Sequence, residues 1–549
     1  MRLRMRFVLV TLALSTLFSP AVIAQDGLAP KVDKIFSVYD KAGSPGCSLG
    51  VIRDGNFVYR KAYGLANLEM GVPLSPQSVF YMGSVSKQFT AASVALAAEQ
   101  GYLSLDDDVR KYIPELPDYS HVITLRQMIH QTSGFRDFYT LLGLSGHDLA
   151  DFNSAKEILE IVVRQRGLNN IPGDEWIYSN TNYFLLGMVV QRATKKSLAG
   201  FAAENIFKPL GMSHTLFYDD HTRVVPGRVA AYDPAAHDSF RVDWSTTFEV
   251  VGAGGLMSSI DDLLLWDKNF YSDRLGKGTL VQELQTPAVL NDGIKISYAM
   301  GLDLGNYRGL PIVEHGGALF GYRTEFLRFP EQKFSVICLC NIASAVPENL
   351  AREVADIYLA DKLQPGARAL NPSSNESFPD PATFAGKYLD PRTHLMYTFT
   401  ASNGDLMAWG AVLRRINANQ FYDLGSDVIT FEPSNGTMHA KLDLKGETYF
   451  SGSRTEELHL AEPVLASYTG TFQSTELDAV YSLSVESNTL SLSLRDRDNP
   501  PQKLMPIAKD EFDAGDFGRV VFERDSGGRV FGFRVFTQAA RDIAFKKEE

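Results

Sequence analysis

The sequence predicts an α+β domain, in which helices are inserted between two parts of one sheet, followed by two small all-β units. Three observations carry this. A hairpin signal stands near the start, helical patterning gives way again to strands before residue 340, and everything beyond residue 384 alternates in short runs with frequent turns and almost no helical period.

Taken in order, residues 1–24 read as an export signal. Arg2, Arg4 and Arg6 form a basic start, Phe7 to Phe18 is an apolar run, and Val22-Ile23-Ala24 supplies small residues for cleavage. The run is short for a bilayer span, and the polar Gln25-Asp26-Gly27 follows at once, which favours a cleaved signal over an anchor. The mature chain is therefore expected to be soluble, in the periplasm or outside the cell.

Asp54-Gly55 separates Ser48-Leu-Gly-Val-Ile from Phe57-Val-Tyr-Arg, a pattern that calls for a type I′ hairpin. From Ser84 the period becomes helical. Phe89 to Gln100 is rich in Ala, and Gly101 suits a C-terminal cap. Amphipathic stretches follow at Ala155 to Arg164, Tyr183 to Ala193 and Ile260 to Phe270. Strand character returns at Pro311 to His315, in Arg323-Thr-Glu-Phe-Leu-Arg-Phe and in Phe334-Ser-Val-Ile-Cys-Leu-Cys, with Pro330 to Lys333 as a connection; Asn349 to Lys362 reads as a last helix.

Gln364 to Pro381 is rich in Pro, Ser, Asn and Gly, as a linker would be. The β-region beyond it looks duplicated: Phe384-Ala-Gly-Lys-Tyr matches Tyr468-Thr-Gly-Thr-Phe, and Val428-Ile-Thr-Phe-Glu matches Arg519-Val-Val-Phe-Glu. Two related β-units, small barrels among the forms open to them, account for this; chance similarity within a single β-domain is the other reading. The expected division is 1–24 signal, 25–363 α+β domain, 364–383 linker, 384–460 first β-domain and 461–549 second β-domain.

Composition limits function. Removing 1–24 takes away three Arg and no acid, so the net charge moves from −12 to −15, which makes nucleic acid an unfavourable partner. An apolar fraction of 45% argues against disorder. The three cysteines, Cys47, Cys338 and Cys340, exclude a disulfide framework. Cys338 and Cys340 share a strand face and are expected to be buried rather than joined, while a bridge from Cys47 to either stays open in an oxidising compartment. The ten His show no ligand spacing with Cys or acids, and no nucleotide-binding glycine motif stands between strand and helix, so neither metal nor cofactor is expected.

Three elements carry chemistry. In Ser84-Val85-Ser86-Lys87 the i, i+3 spacing puts Ser84 and Lys87 on one helical face. A serine hydroxyl needs a base, and the positive end of a helix both favours an oxyanion and lowers a nearby Lys pKa. Taken alone, the pattern is equally that of an ordinary N-cap serine. Tyr178-Ser179-Asn180 lies in a loop before an apolar helix, where Tyr178 could relay a proton if neighbouring cations lower its pKa and Asn180 could hold a substrate amide while bonding Lys87. By itself this tripeptide reads as a core aromatic beside a capping Asn. His315-Gly316-Gly317-Ala318 ends an apolar strand; the glycines let a substrate lie along the edge, and the Ala318 and Ser84 N–H groups could form an oxyanion hole.

In order and context these segments resemble the serine β-lactamases and penicillin-binding DD-peptidases, with their esterase and D-aminopeptidase relatives. The likeness runs from about Val32 to Lys362. Phe80-Tyr-Met-Gly-Ser-Val-Ser-Lys-Gln-Phe-Thr is similar to the family's nucleophile segment, Tyr178-Ser-Asn to its Y-x-N motif and His315-Gly-Gly to its third motif; Ile129-His-Gln-Thr-Ser-Gly-Phe and Gly252-Ala-Gly-Gly-Leu-Met-Ser-Ser are also similar to family segments. The resemblance implies an acyl-enzyme on Ser84, Lys87 and Tyr178 sharing acid and base roles, Asn180 positioning substrate and His315 lining the opposite wall. Many β-lactamases carry Lys-Thr-Gly where this chain has His-Gly-Gly, and a mostly neutral His selects less for a free carboxylate. That shifts the expectation toward a peptidase or amidase on short peptides, aminopeptidase-like and open to D-residues; a carboxylesterase or class C-like β-lactamase is the alternative. A third reading is a protein that captures β-lactams or peptidoglycan fragments without turnover. The His-Gly-Gly and trailing β-units resemble most the D-aminopeptidase branch, whose catalytic domain precedes two eight-stranded barrels.

Overall fold

The computed structural model describes residues 27–548, apart from 148–153, 238, 244–248, 365–377, 409–410, 423–427, 435, 446, 457 and 496–499. The expected export signal, and most of the expected linker, lie outside the described residues.

Helix α1 (Ala29–Phe36) precedes strands β1 (Cys47–Arg53) and β2 (Asn56–Tyr63). Asp54 and Gly55 between them have φ of 50° and 72°, the two positive values a type I′ turn requires. Next comes α2 (Ser86–Glu99), buried along nearly its whole length, followed by Gly101 at φ 80°. Alanine lets neighbouring elements approach α2 on every side, so the helix needs no polar face. Helices α3 (Asn180–Thr194) and α4 (Ile260–Ser272) complete the framework used below. The chain then returns to the sheet through β3 (Asp303–Tyr307), β4 (Leu310–Leu319), β5 (Tyr322–Phe329) and β6 (Phe334–Cys340), and closes it with α5 (Pro347–Tyr358).

The six strands are antiparallel, in the order β3-β4-β5-β6-β1-β2. Both faces of the middle strands are covered, which explains the unbroken apolar run over residues 336–340. Val336, Cys338 and Cys340 pack with Val32 and Phe36 of α1 and with Val354 of α5. Ile337 and Leu339 face the inserted helices. Register sets Cys47 opposite Cys340, and these two form the disulfide, leaving Cys338 free and buried. Of the two bridges the sequence left open, strand pairing selects one.

Beyond the linker, the two β-units are closed eight-stranded barrels, running from Gly386–Leu389 to Glu447–Thr455 and from Gly470–Ser474 to Ile543–Lys547. The repeated glycines Gly386 and Gly470 adopt nearly the same φ, 144° and 140°. The first barrel has its own core around Tyr388, Phe399 and Phe431, whereas the second barrel's core is continuous with that of the inserted helices. Among the described residues no helix is long and apolar enough to cross a membrane.

A buried ion pair joins the second barrel to the helical region. Arg136 Nη1 donates to Glu476 Oε1 (2.7 Å) and Gln165 Oε1 (3.0 Å), and its Nη2 donates to the Asp542 carbonyl (2.8 Å); the two charged side chains are 2% and 7% exposed. Glu476 also accepts from the Arg166 and Ala544 amides. Truncating Arg136 to Ala strands a buried carboxylate, at a cost of about 3–5 kcal/mol. The expected result is a lower thermal midpoint and early proteolytic release of the second barrel, read by calorimetry and limited proteolysis.

Candidate active site

Ser84 lies in a single 3₁₀ turn (Gly83–Val85) that leads into α2. Its hydroxyl does not cap the helix, so the ordinary N-cap reading of this serine does not hold. The turn is pressed onto β4: Gly83 has φ 52°, and a Cβ there would stand 2.6 Å from the Ala318 nitrogen. Gly317 is equally constrained, since a Cβ would meet the Met82 carbonyl at 2.1 Å and the Ser84 nitrogen at 3.0 Å. Two glycines thus bring the Ser84 and Ala318 amides together. Thr324 of β5 fastens the same turn by donating to the Met82 carbonyl (2.8 Å).

Lys87, the second residue of α2, is fully buried. Its Nζ lies 3.0 Å from Ser84 Oγ, 2.8 Å from Asn180 Oδ1 and 2.8 Å from the Ala253 carbonyl. Burial pulls its pKa down to about 7, against the pull of the Asp137 carboxylate in the other direction. A neutral amine can donate to Asn180 and Ala253 and turn its lone pair to Ser84. Tyr178 donates its hydroxyl to Ser84 Oγ (2.8 Å), so the serine oxygen is approached by both candidate proton carriers.

The expectation that cations lower the Tyr178 pKa is not met. Burial raises the phenol well above its ordinary value, helped by Asp137 and Asp303 and opposed by the bond to Ser84. Tyr178 is a protonated donor, and Lys87 is the group that titrates near neutrality.

Asn180 opens α3 and is oriented by Asp137, whose Oδ1 accepts from the Asn180 amide (2.6 Å) and Nδ2 (2.9 Å). His315 Nε2 is 3.2 Å from the Tyr298 hydroxyl, and its ring lies 6.4 Å from that of Tyr178. Burial lowers the His315 pKa to about 4, so the ring is neutral. Strand β3 pairs with β4 only as far as Glu314, leaving the edge from His315 to Ala318 free of a strand partner on that side. A cleft of about 510 Å³ opens there, lined by Ser84, Tyr178, His315, Gly316, Gly317 and Ala318 and extending to Asp303 and Glu348.

The structure therefore places Ser84, Tyr178, His315, Gly316, Gly317 and Ala318 along one cleft, with Lys87 buried behind Ser84 and bonded to both Ser84 and Asn180. Sequence reasoning missed Asp137, Tyr298 and the Ala253 carbonyl. The Gly252-Ala-Gly-Gly segment held a signal for the last: Gly252 has φ 110°, and a Cβ there would strike the Tyr183 carbonyl at 2.3 Å, so the chain turns close against α3 and presents Ala253 to Lys87. Also missed was the reach of the first barrel, whose Lys445 pairs with Asp303 (2.7 Å) at the cleft and whose Glu447 accepts from the Trp176 amide (2.9 Å). Among the described residues, the one group of metal-ligating side chains close enough to share an ion is Cys47, Cys338 and Cys340, two of which are joined in the disulfide.

Residues 32–360 match the family model described as Beta-lactamase. A D-aminopeptidase of Gluconobacter oxydans (strain 621H) is 26% identical over 529 residues, covering 92% of this chain and 96% of that protein. Among solved structures, the octameric penicillin-binding protein homologue from Pyrococcus abyssi aligns over 85% of this chain and 98% of its own (TM-score 0.56, 20% identity). The D-amino acid amidase from Ochrobactrum anthropi SV3, complexed with L-phenylalanine amide, aligns over 61% of this chain and 99% of its own (TM-score 0.51, 22% identity). With the fold, the Ser84-Lys87-Tyr178 cluster and the match over residues 32–360 in agreement, the chain belongs to the β-lactamase family and is a serine hydrolase.

Proposed function

We propose that this protein is an exported amidase or peptidase that removes an amino-terminal residue, with a preference for D-residues, from short peptides and amides through an acyl-enzyme on Ser84. The observation that carries the reading is the convergence of Lys87 Nζ and Tyr178 OH on Ser84 Oγ at 3.0 and 2.8 Å. Neutral Lys87 takes the hydroxyl proton as Oγ attacks the substrate carbonyl, and the Ser84 and Ala318 amides hold the oxyanion. The C–N bond breaks as the Lys87–Tyr178 pair returns the proton to the departing amine. Water, deprotonated by the same pair, then attacks the ester, releasing the acid and restoring Ser84. Asn180, oriented by Asp137, offers Nδ2 or Oδ1 to the substrate.

Several features support the finer parts of this reading. The likeness to proteins named D-aminopeptidase and D-amino acid amidase supports D-aminoacyl amides as substrates. Neutral His315 at the third motif supplies no fixed charge for a substrate carboxylate. The basic, apolar and small-residue order of residues 1–24 and the Cys47–Cys340 disulfide both suit an oxidising, exported setting.

The test is turnover of D- and L-amino-acid p-nitroanilides, short acyl p-nitrophenyl esters and nitrocefin. Faster hydrolysis of D-aminoacyl anilides supports the proposal. Ester or nitrocefin turnover without anilide cleavage overturns it in favour of an esterase or β-lactamase, and a persistent Ser84 adduct with no product released points to a capture protein.

A further inference from the structure

The cleft has two ends that differ in charge. At the Ala318 end lie the Ser84 and Ala318 amides, with Arg323 opposite Ala318 on β5, its guanidinium donating to the Phe320 and Tyr322 carbonyls. Toward His315 the wall is formed by Asp303, opposite Glu314 in register, and by Glu348 in the first turn of α5, beside Gly316. Tyr178 is the protonated donor beside Ser84, and its ring lies 6.4 Å from that of His315, which precedes Gly316 on β4.

Gly316 shapes that end. A Cβ on Gly316 would stand 2.7 Å from Glu348 Oε1 and 3.1 Å from Glu325 Oε2, so two carboxyl groups converge on the space its missing side chain leaves open. Glu325 is 1% exposed and its Oε1 has no hydrogen-bond partner. The nearby cations are already committed: Arg352 makes a bidentate pair with Glu314 (2.7 and 2.9 Å), and Lys445 pairs with Asp303 (2.7 Å). Glu348, by contrast, is exposed to the cleft.

We propose that Glu348, with the buried Glu325 behind Gly316, forms the leaving-group subsite of the Ser84 cleft and selects neutral or cationic departing amines over those bearing a free carboxylate. This rests on the amidase reading above and adds to it the part of the substrate on which selection acts. Burial, with Glu314 and Glu348 nearby, raises the Glu325 carboxyl well above the usual range, and of the two carboxyls it is the exposed Glu348 that a departing group meets. A carboxylate on the leaving group would meet Glu348, whose neighbouring cations Arg352 and Lys445 already pair with Glu314 and Asp303, while Arg323 lies opposite Ala318 at the other end; an amide or ammonium would be accepted.

The experiment compares kcat/KM for D-alanyl-D-alanine and D-alanyl-D-alanine amide in the wild type, Glu348→Gln and Glu348→Arg. The wild type should prefer the amide. The Arg variant should move the acid-to-amide ratio toward the acid by roughly tenfold, the Gln variant by less, and about 0.5 M NaCl should shrink the differences between the three. A ratio unmoved in Glu348→Arg, or a wild type that prefers the free acid, overturns the inference. If neither dipeptide is cleaved but nitrophenyl esters are, the amidase reading fails on its own. The leaving-group inference is then decided by the same ratio measured on phenyl and 3-carboxyphenyl esters of one acyl group. If no substrate is turned over, both fall.

Discussion

Ser84→Ala is expected to lower kcat by at least about 10⁴-fold while leaving the protein folded. The size follows from the role: without Oγ no covalent intermediate forms, and what survives is binding plus the oxyanion-holding amides, which together retain only a small part of the acceleration. Folding should be spared because the serine sits in a 3₁₀ turn that is held by Thr324 and by the fit of Gly83 against β4, not by its own hydroxyl. Two measurements check this: steady-state rates on whichever substrate the wild type prefers, and intact-protein mass spectra after rapid acid quench. The wild type should show an acyl adduct that the variant lacks. Undiminished turnover in folded Ser84→Ala protein would overturn the mechanism.

Lys87→Gln should cost about 10²- to 10⁴-fold in kcat/KM, the range a general base contributes. The pH profile separates this role from a structural one. The Lys87 pKa is lowered to about 7 by burial, and the acting form is the neutral amine, so wild-type kcat/KM should rise with pH through about 7 and level off above it. Tyr178 is held protonated throughout this range, and His315, at about 4, is already neutral, so neither should add a step between pH 6 and 9. In Lys87→Gln the step near 7 should vanish along with the activity. A variant with the same pH step, merely scaled down, would show that another group supplies the base.

Much of the site was legible because its parts are local. Ser84 and Lys87 are three residues apart, in the 3₁₀ turn and the first turn of the α2 it leads into, Tyr178 and Asn180 flank the start of α3, and His315 to Ala318 share one strand end. What the sequence could not state is which partner each meets. Tyr178 reaches Ser84 across 94 positions and Lys87 reaches the Ala253 carbonyl across 166. A backbone carbonyl carries no residue signature, and Asp137 looks like a helix N-cap, which it is, while also orienting Asn180. The expected effect of cations on Tyr178 failed for a related reason: burial, with Asp137 and Asp303 brought near by the fold, raises the phenol, while burial also weakens the charge of the adjacent Lys87.

The two barrels divide in the same way. Repeated short strands, and glycines at matching places, let the duplication be read from sequence. Where each barrel docks depends on side chains scattered far along the chain. Arg136 and Glu476 pair across 340 positions, which places the second barrel against the inserted helices, while Lys445 brings a hairpin of the first barrel to Asp303 at the cleft.

By itself, then, the amino-acid order determined the hairpin turn, the helical and strand periods, the three chemical segments and the doubled β-region, because each depends on residues a few positions apart. Tertiary structure alone decided which cysteine Cys47 meets, the protonation of Lys87, Tyr178 and His315, and the acidic character of the cleft's far end. Those properties arise from burial and from charges brought together across the sheet, and neither exists until the chain has folded.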